Sequence, residues 1–168
     1  SVRFTDSGTG IATYSVGGTP TELPTPQASL DSTTTISLNP GSNAIPLLAT
    51  DTAGNTTNGS FVIVSDTTPP ELSISAPANN AIVGTSRITV TGQSTDAESG
   101  IASISINGAV ASIDGDQYSG FVDLSEGPNE ITVVATNVAG LVQTQQVSIT
   151  LQTSGDSTPP MVSDTYPE

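Results

Sequence analysis

The sequence contains an internal repeat whose unit is about 90 residues long. Residues 6–18 align with residues 96–108, and residues 66–70 align with residues 156–160, both at an offset of 90 positions. Between these segments, residues 49–54 find their counterpart 86 positions later, so the two copies differ slightly in length. A repeat of this size builds the same unit twice, and we therefore predict two copies of one domain.

Apolar and polar residues alternate within each copy, which is the pattern of strands with one buried face. In the second copy Ile131, Val133 and Ala135 alternate in this way, and Ile45 and Leu47 occupy matching positions in the first copy. Helix-forming residues are scarce, since the chain has no Lys and only one Met. The sequence therefore predicts an all-β chain built from two-sheet sandwiches.

The second copy predicts a full set of sandwich strands. Strand A is expected at residues 72–75, followed by B at 87–93, C at 102–106, E at 117–124, F at 131–135 and G at 142–151. Asn107 and Gly108 favour a two-residue hairpin turn, because both positions tolerate positive φ, and residues 109–113 are expected to continue the sheet. Phe121 is expected to be the largest core residue of strand E.

The first copy matches the second from strand B onward. Its predicted strands lie at residues 2–5 (B), 12–16 (C), 33–38 (E), 44–50 (F) and 60–64 (G). Pro46 falls inside a predicted central strand, and proline cannot donate a ladder hydrogen bond. We therefore expect a bulge or a missing hydrogen bond at Pro46.

Four motifs carry a family resemblance. They are Ala-Thr-Asp-x-Ala-Gly-Asn at residues 49–55, Asp-Thr-Thr-Pro-Pro at 66–70, Thr-Asp-x-x-Ser-Gly-Ile at 95–101 and Gly-x-Asn-x-Ile at 127–131. Together they resemble bacterial immunoglobulin-like domains, the tandem modules of surface adhesins and of secreted polysaccharide-degrading enzymes. The resemblance implies two tandem immunoglobulin-like β-sandwiches joined by a proline-rich linker, in a secreted or cell-surface protein. It implies no single function, because such modules serve as stalks, spacers and occasionally binders.

The predicted domains do not start and end at the two ends of the given sequence. Residues 1–65 form a first domain without strand A, 66–70 the linker, 71–153 the second domain, and 154–168 a further linker with an orphan strand A. An unpaired sandwich edge favours aggregation unless another strand covers it. We therefore expect six residues to complete the first domain of a neighbouring copy by strand addition: Met161, Val162, Ser163, Asp164, Thr165 and Tyr166.

Two arrangements produce such completion. Head-to-tail contacts between copies build a filament, or the 168 residues are one period of a longer covalent array. The alternative is that the boundaries are arbitrary and the last residues are disordered. Without an initiator Met or a signal peptide, the sequence is interpreted as a processed chain or an excerpt.

Composition excludes several classes of function. The chain has no His and no Cys, so it offers no catalytic triad, thiol nucleophile, disulfide or ordinary zinc site. Sixteen acidic residues against two cationic ones would repel nucleic acid and anionic membranes. No apolar run is long enough to cross a bilayer.

Acidic loop residues at the domain junctions predict Ca²⁺ sites. These are hard oxygen ligands of the kind that Ca²⁺ prefers. The set predicted for the second domain is Asp66, Asp96, Glu98 and Asn137, and the set for the first domain is Asp6, Asp51, Asn55 and Asp156. The alternative is that these side chains only cap their own turns.

The sequence predicts no enzyme. Asp114 with Asp116, and Glu126 with Glu130, are the closest approaches to a catalytic carboxylate pair, and both pairs are interpreted as surface residues of turns. The predicted function is an extracellular structural module, either the stalk of an adhesin or a head-to-tail fibre subunit. The alternative is a non-catalytic, carbohydrate-binding accessory module of a secreted polysaccharide hydrolase.

Overall fold

A computed structural model describes residues 1–153, which form two compact units. Among the described residues, the first unit comprises Ser1–Thr68 with Ala97–Ser99, and the second comprises Pro69–Asp96 with residues 100–153. The break between the units falls within the predicted linker, residues 66–70. Nowhere in the described part of the chain is there a helix long and apolar enough to span a membrane.

Fifteen strands make up the described chain, and the all-β prediction is confirmed. The first unit contains β1 (Val2–Thr5), β2 (Ile11–Val16), β3 (Thr21–Gln27), β4 (Ser29–Ser32), β5 (Gly41–Asp51) and β6 (Thr56–Ser65). The second unit contains β7 (Glu71–Ala76), β8 (Ala81–Val83), β9 (Arg87–Thr95), β10 (Ile101–Ile106), β11 (Ala109–Val110), β12 (Ser112–Asp114), β13 (Gln117–Asp123), β14 (Gly127–Asn137) and β15 (Val142–Leu151).

The second unit is a complete two-sheet sandwich. One sheet has the strand order β11-β10-β14-β15-β8 and the other the order β12-β13-β9-β7. All neighbours are antiparallel except β8, which runs parallel to β15. Ile131, Val133 and Ala135 of β14 point into the core and are each 0% exposed, as their alternation predicts.

Phe121 is not a core residue, and the prediction that it is was wrong. Its side chain is 63% exposed, because the buried positions of β13 are those of Tyr118 and Val122. The sequence pattern of β13 allows either phase, and the large ring at 121 favoured the wrong one. On the outer surface, Phe121 lies under Arg87, whose guanidinium carbon is 4.9 Å from the ring centroid, a cation–π arrangement.

Residues 109–113 do not form one continuing strand. Asn107 and Gly108 have φ of 48° and 82°, so the predicted hairpin turn is confirmed. The short β11 that follows stays in the sheet of β10, whereas β12 pairs with β13 in the opposite sheet. Ala111, which is buried, is the point at which the chain crosses from one sheet to the other.

The first unit has a four-stranded sheet, β3-β2-β5-β6, and a two-stranded sheet, β1-β4. The strand predicted at residues 33–38 is absent: β4 ends at Ser32, which pairs with Val2, and the residues that follow form no strand. In the second unit the matching residues of β13 pair with Arg87 to Thr91 of β9. Among residues 1–153, no strand of the first unit pairs with the segment 33–38.

Pro46 fits into β5 without a bulge. The register of β5 with β6 runs unbroken from Gly41 to Thr50, so of the two outcomes expected at Pro46, a bulge or a missing hydrogen bond, the bulge does not occur. The Pro46 carbonyl accepts a hydrogen bond of 2.9 Å from the Gly17 amide. Since the N and C=O of a residue in an antiparallel strand point to the same side, the missing donor faces the chain just beyond the end of β2.

Candidate functional site

The first unit has two unpaired sheet edges where the second unit has strands. In the second unit β7 pairs along β9, and β8 pairs along β15. The repeat aligns β1 with the end of β9, and β6 with β15. Within residues 1–153, no strand pairs with the outer edge of either β1 or β6.

The core of the first unit is correspondingly open. Ile45 is 5% exposed, but Leu47 and Ala49 are only half-buried, although their counterparts Val133 and Ala135 are fully buried. Apolar and polar residues alternate in the same way in β5 and β14. What differs is the cover that strands on the facing sheet and at the edges supply, so the difference is one of tertiary structure.

An apolar cleft of about 350 Å³ lies at this open side. Its apolar lining comes from β1, β2, β6 and the segment after β4: Val2, Val16, Ile36, Leu38, Phe61 and Ile63. The counterparts of five of these are buried core residues of the second unit: Ile106, Val122, Leu124, Val147 and Ile149. The cleft is therefore the unfilled part of a sandwich core.

The loop between β1 and β2 in the first unit is capped in the same way as the loop between β9 and β10 in the second. An Asp6 carboxylate oxygen accepts a hydrogen bond of 2.6 Å from the Gly10 amide, and Asp96 accepts one of 3.1 Å from the Gly100 amide. Both glycines have positive φ, which explains why glycine recurs at this position.

The loop after the longest strand of each unit is capped as well. Asp51 accepts hydrogen bonds of 2.8 Å from both the backbone and the side-chain amide of Asn55. These bonds, the side-chain one foremost, hold the pKa of Asp51 below its usual value. In the second unit the side-chain oxygen of Asn137, Oδ1, accepts a hydrogen bond of 2.7 Å from the Leu141 amide, so an Asn can replace the Asp in this cap.

The second unit ties its two loops together. The Asn137 side-chain amide, which is 1% exposed, donates a hydrogen bond of 3.0 Å to Asp96. The matching residues of the first unit are Asp51 and Asp6, and a carboxylate at 51 cannot donate such a bond. Asp6, Asp51 and Asn55 instead line one open groove of about 290 Å³.

The remaining predicted metal ligands also act as caps. Asp66 accepts from the Thr68 amide at 3.1 Å, and Glu98 accepts from the Thr67 amide at 2.9 Å. Asp156 lies outside the described residues. In residues 1–153 no three acidic side chains are grouped so as to hold a metal ion. The capping alternative thus accounts for the observed bonds, and Ca²⁺ stays a prediction, because a capping carboxylate keeps further acceptor sites.

Sequence reasoning missed two features of the molecule. Strand β8 has only three residues, too few for a periodic signal. The second feature is the role of the repeated asparagines of the Gly-x-Asn motif, whose side chains hydrogen-bond the backbone of the preceding turn. Asn43 and Asn129 each accept a bond of 2.9 Å from the residue four positions earlier and return one of 2.7 Å to its carbonyl.

The carboxylates considered for catalysis lie on the surface. Asp114 and Asp116 flank an exposed hairpin turn. Glu130 accepts a hydrogen bond of 2.9 Å from the Gln146 side chain, and Glu126 accepts from Thr153.

Comparison with known proteins addresses the second unit most directly. A family model described as glucodextranase, domain B, matches residues 70–153, half of the chain. Bacillopeptidase F of Bacillus subtilis (strain 168) is 31% identical over 115 residues, which cover 68% of this chain and 8% of that protein.

Similar solved structures include the fibronectin(III)-like modules of CbhA from Clostridium thermocellum, 16% identical with a TM-score of 0.43 over 89% of this chain and 82% of that chain. SGBP-B of Bacteroides ovatus, solved with a mixed-linkage heptasaccharide, is 16% identical with a TM-score of 0.27 over 89% and 40% of the two chains. These scores are low, and the assignment rests on the family model. The resemblance to bacterial immunoglobulin-like domains of secreted polysaccharide-active proteins is confirmed, and the chain belongs to the glucodextranase domain B family.

Proposed function

We propose that this chain is a non-catalytic structural module of an extracellular protein, in which immunoglobulin-like units are joined in a line and complete one another. One observation carries the proposal: β1 and β6 of the first unit are unpaired edges beside an open apolar cleft, among the residues the structure describes. An edge of this kind recruits an added strand through its free backbone groups.

The donor we propose is residues 161–166 of a neighbouring copy. These residues align with β7 at the offset of 90, and the proline that follows Ala76 is matched by Pro167 after Tyr166. In the register of β7 on β9, Val162 would face Phe4 and take the place of the buried Leu72. The contact is head-to-tail and does not close on itself, so it extends into a filament or a stalk.

The sequence of the donor segment also sets the strength of the association between copies. Asp164 stands at the position of the half-buried Ile74, and a carboxylate at the rim of an apolar cleft carries a desolvation cost. We therefore expect association to be weak in the natural sequence and to strengthen when this charge is removed.

Sedimentation velocity over a concentration series tests the proposal. We expect the full chain to form concentration-dependent oligomers, Asp164→Ile to shift association to lower concentration, and Val162→Asp to abolish it. Ser163→Asp is the matched control, because its counterpart Ser73 is exposed. A chain that stays monomeric at every concentration, even with Asp164→Ile, would contradict donation by this segment.

A second candidate function is favoured by the family match. As part of a polysaccharide-active protein, the module would bind carbohydrate, with the exposed Phe121 and the adjacent Arg87 as the contact surface. Affinity electrophoresis in gels containing dextran or other soluble glucans tests this. Binding would be supported if the glucan retards the chain, if Phe121→Ala removes this retardation, and if Val110→Ala leaves it intact. Val110 is the control because it is exposed and not aromatic. Equal mobility with and without glucan would exclude it.

A further inference from the structure

We infer that the outer face of the sheet β12-β13-β9-β7 binds a neutral polysaccharide chain, which crosses the strands in a shallow trough beside Phe121. This inference rests on the carbohydrate-binding candidate proposed above. It goes further by stating which rows of side chains contact the sugar, how the chain lies on them and why its charge matters.

The trough follows from the sizes of the side chains on this face. The outward residues of β13 include Phe121, Ser119 and Gln117, which are a large ring, a short hydroxyl and a long amide in succession. In the register of the sheet, Ser119 pairs with Thr91 of β9 and with Ser112 of β12. These three short side chains form a floor that crosses the strands, with the Phe121 ring as one wall and the Gln117 amide as the other. We call the floor and its two walls the trough.

The trough has room for a chain of sugars and runs to both edges of the sheet. Phe121 and Gln117 are four residues apart, which is about 14 Å along an antiparallel strand. Beyond Thr91 the row continues with Ala76 on the edge strand β7, and at its other end it reaches the edge strand β12. Because every residue of the row is small, a polymer can lie across all four strands, whereas a site for a chain end would need a closed side.

Phe121 presents a free ring face to the floor of the trough. The guanidinium of Arg87 covers the opposite face, since Arg87 pairs with Asp123, on the side of the ring away from Ser119. The ring is nevertheless largely exposed. The face of an aromatic ring carries partial negative charge, which attracts the polarised C–H groups of a sugar ring. We therefore expect one sugar to stack on Phe121 from the side of the floor.

The opposite wall and the floor supply hydrogen bonds. Gln117 pairs with Gln93 in the register of the sheet, and both side chains are exposed. A side-chain amide donates and accepts hydrogen bonds, and so does each hydroxyl of the floor. Sugar hydroxyls have the same dual character, so a ligand dense in hydroxyl groups matches this surface.

The charge of this face favours a neutral ligand. Arg87 is one of only two cationic residues in the chain, and its Nε lies 3.9 Å from a carboxylate oxygen of Asp123. Asp114 pairs with Gln117 at the other wall. The face thus carries no net positive charge, and the chain has a formal net charge of -14, so an anionic polysaccharide is repelled.

The other sheet of the second unit offers no comparable face. Residues 71–153 contain two aromatic residues, Tyr118 and Phe121, and Tyr118 is buried in the core. Gln146, on the outer face of the opposite sheet, therefore provides a matched control for Gln117, because both are exposed glutamines.

NMR titration of the full, isotope-labelled chain tests the inference. The probes are oligosaccharides of dextran and of a mixed-linkage glucan, which are neutral, and dextran sulfate, which adds anionic groups to the same backbone as dextran. A neutral glucan is expected to shift the amide signals of the floor residues, and dextran sulfate is not. Phe121→Ala should raise the Kd about 10-fold and Gln117→Ala about 5-fold, the ratio for one hydrogen bond, whereas Gln146→Ala should leave it unchanged.

A pair of serine substitutions tests the trough itself. Ser119→Gln places a long side chain on the floor and is expected to abolish binding. Ser73→Gln is the matched control, because Ser73 is exposed on the same face but lies in the row of Gln93, along the wall and not on the floor. Binding that survives Ser119→Gln would overturn the trough.

The outcomes separate this inference from the candidate function on which it rests. If binding needs Phe121 but is unaffected by Ser119→Gln and Gln117→Ala, carbohydrate binding stands and the trough is wrong. Tighter binding of dextran sulfate than of the neutral glucans would show that the charge argument is wrong. If no neutral glucan shifts any signal, both the trough and the carbohydrate-binding candidate are refuted, and the strand-addition proposal keeps its own test.

Discussion

The hydroxyl of Tyr118 donates a hydrogen bond of 2.9 Å to the backbone carbonyl of Ser73, from the third strand of its sheet to the edge strand. The side chain reaches Ser73 by passing over Gly92, which pairs with Tyr118 across the ladder. A Cβ at Gly92 would overlap both the hydroxyl and the carbonyl oxygen. The absence of a side chain at Gly92 thus makes room for the largest core residue of the second unit.

Gly92→Ala should therefore destabilise the second unit. Neither the backbone carbonyl nor the buried ring can move away cheaply, so we expect a loss of about 3 kcal/mol, at the upper end for overpacking. Urea denaturation followed by far-UV circular dichroism measures it. Gly84→Ala is the control, because a Cβ there meets no atom and the backbone has no positive φ. Equal stability of the two variants would show that the core accommodates the methyl group.

Burial raises the pKa of Tyr118 to about 12. The unfolded chain loses this proton near pH 10 and the folded chain keeps it, so the contribution to stability is complete below pH 10 and is lost as the pH rises toward 12. Urea denaturation at pH 9 to 12 should show this decline, and Tyr118→Phe should flatten it. If ultraviolet titration shows tyrosine ionisation at the same pH values in the unsubstituted chain and in Tyr118→Phe, the raised pKa of Tyr118 is contradicted.

Asn137→Ala should destabilise the second unit by about 2–3 kcal/mol, because it leaves the Leu141 amide without its side-chain acceptor and removes one of the hydrogen bonds that Asp96 accepts, at a part-buried site. Asp51→Ala removes the matching cap of the first unit, at a solvated site, and should cost less. Urea denaturation of both variants provides the comparison. An equal loss in both would mean that burial of the Asn137 amide contributes nothing.

Calcium at the capped loops of the first unit is tested by titration. If Asp6 and Asp51 bind Ca²⁺ in the groove that they share, calorimetry should detect a weak site, with a Kd on the order of 10⁻⁴–10⁻³ M for extracellular modules. Asp51→Asn should weaken it, and Asp114→Asn, on an exposed hairpin, should not. No heat of binding and no rise in melting temperature at millimolar Ca²⁺ would leave only the capping role.

The strands that could be predicted from sequence are those with a strong local signal. The long strand β14 alternates along its 11 residues, and its buried face, with Ile131, Val133 and Ala135, is as predicted. Phe121 and the segment 33–38 could not be placed, because the phase of one strand and the existence of the other depend on which backbone lies opposite.

The candidate site divides in the same way. Asp6, Asp51, Asp96 and Asn137 could be found in the sequence, because a short polar side chain beside glycine caps a turn through local bonds. That Asn137 donates to Asp96, across 41 positions, was visible only in the folded chain.

The sequence by itself determined that the chain is all-β, that it contains one unit twice, and which residues turn it, because alternation, glycine and capping side chains act over a few neighbouring residues. Only the tertiary structure decided that the second unit closes around a buried core while the first leaves a cleft between its sheets. Closure depends on pairing β7 and β8 with strands far away in the sequence, and the same alternating pattern is buried in one unit and half-exposed in the other for lack of that cover.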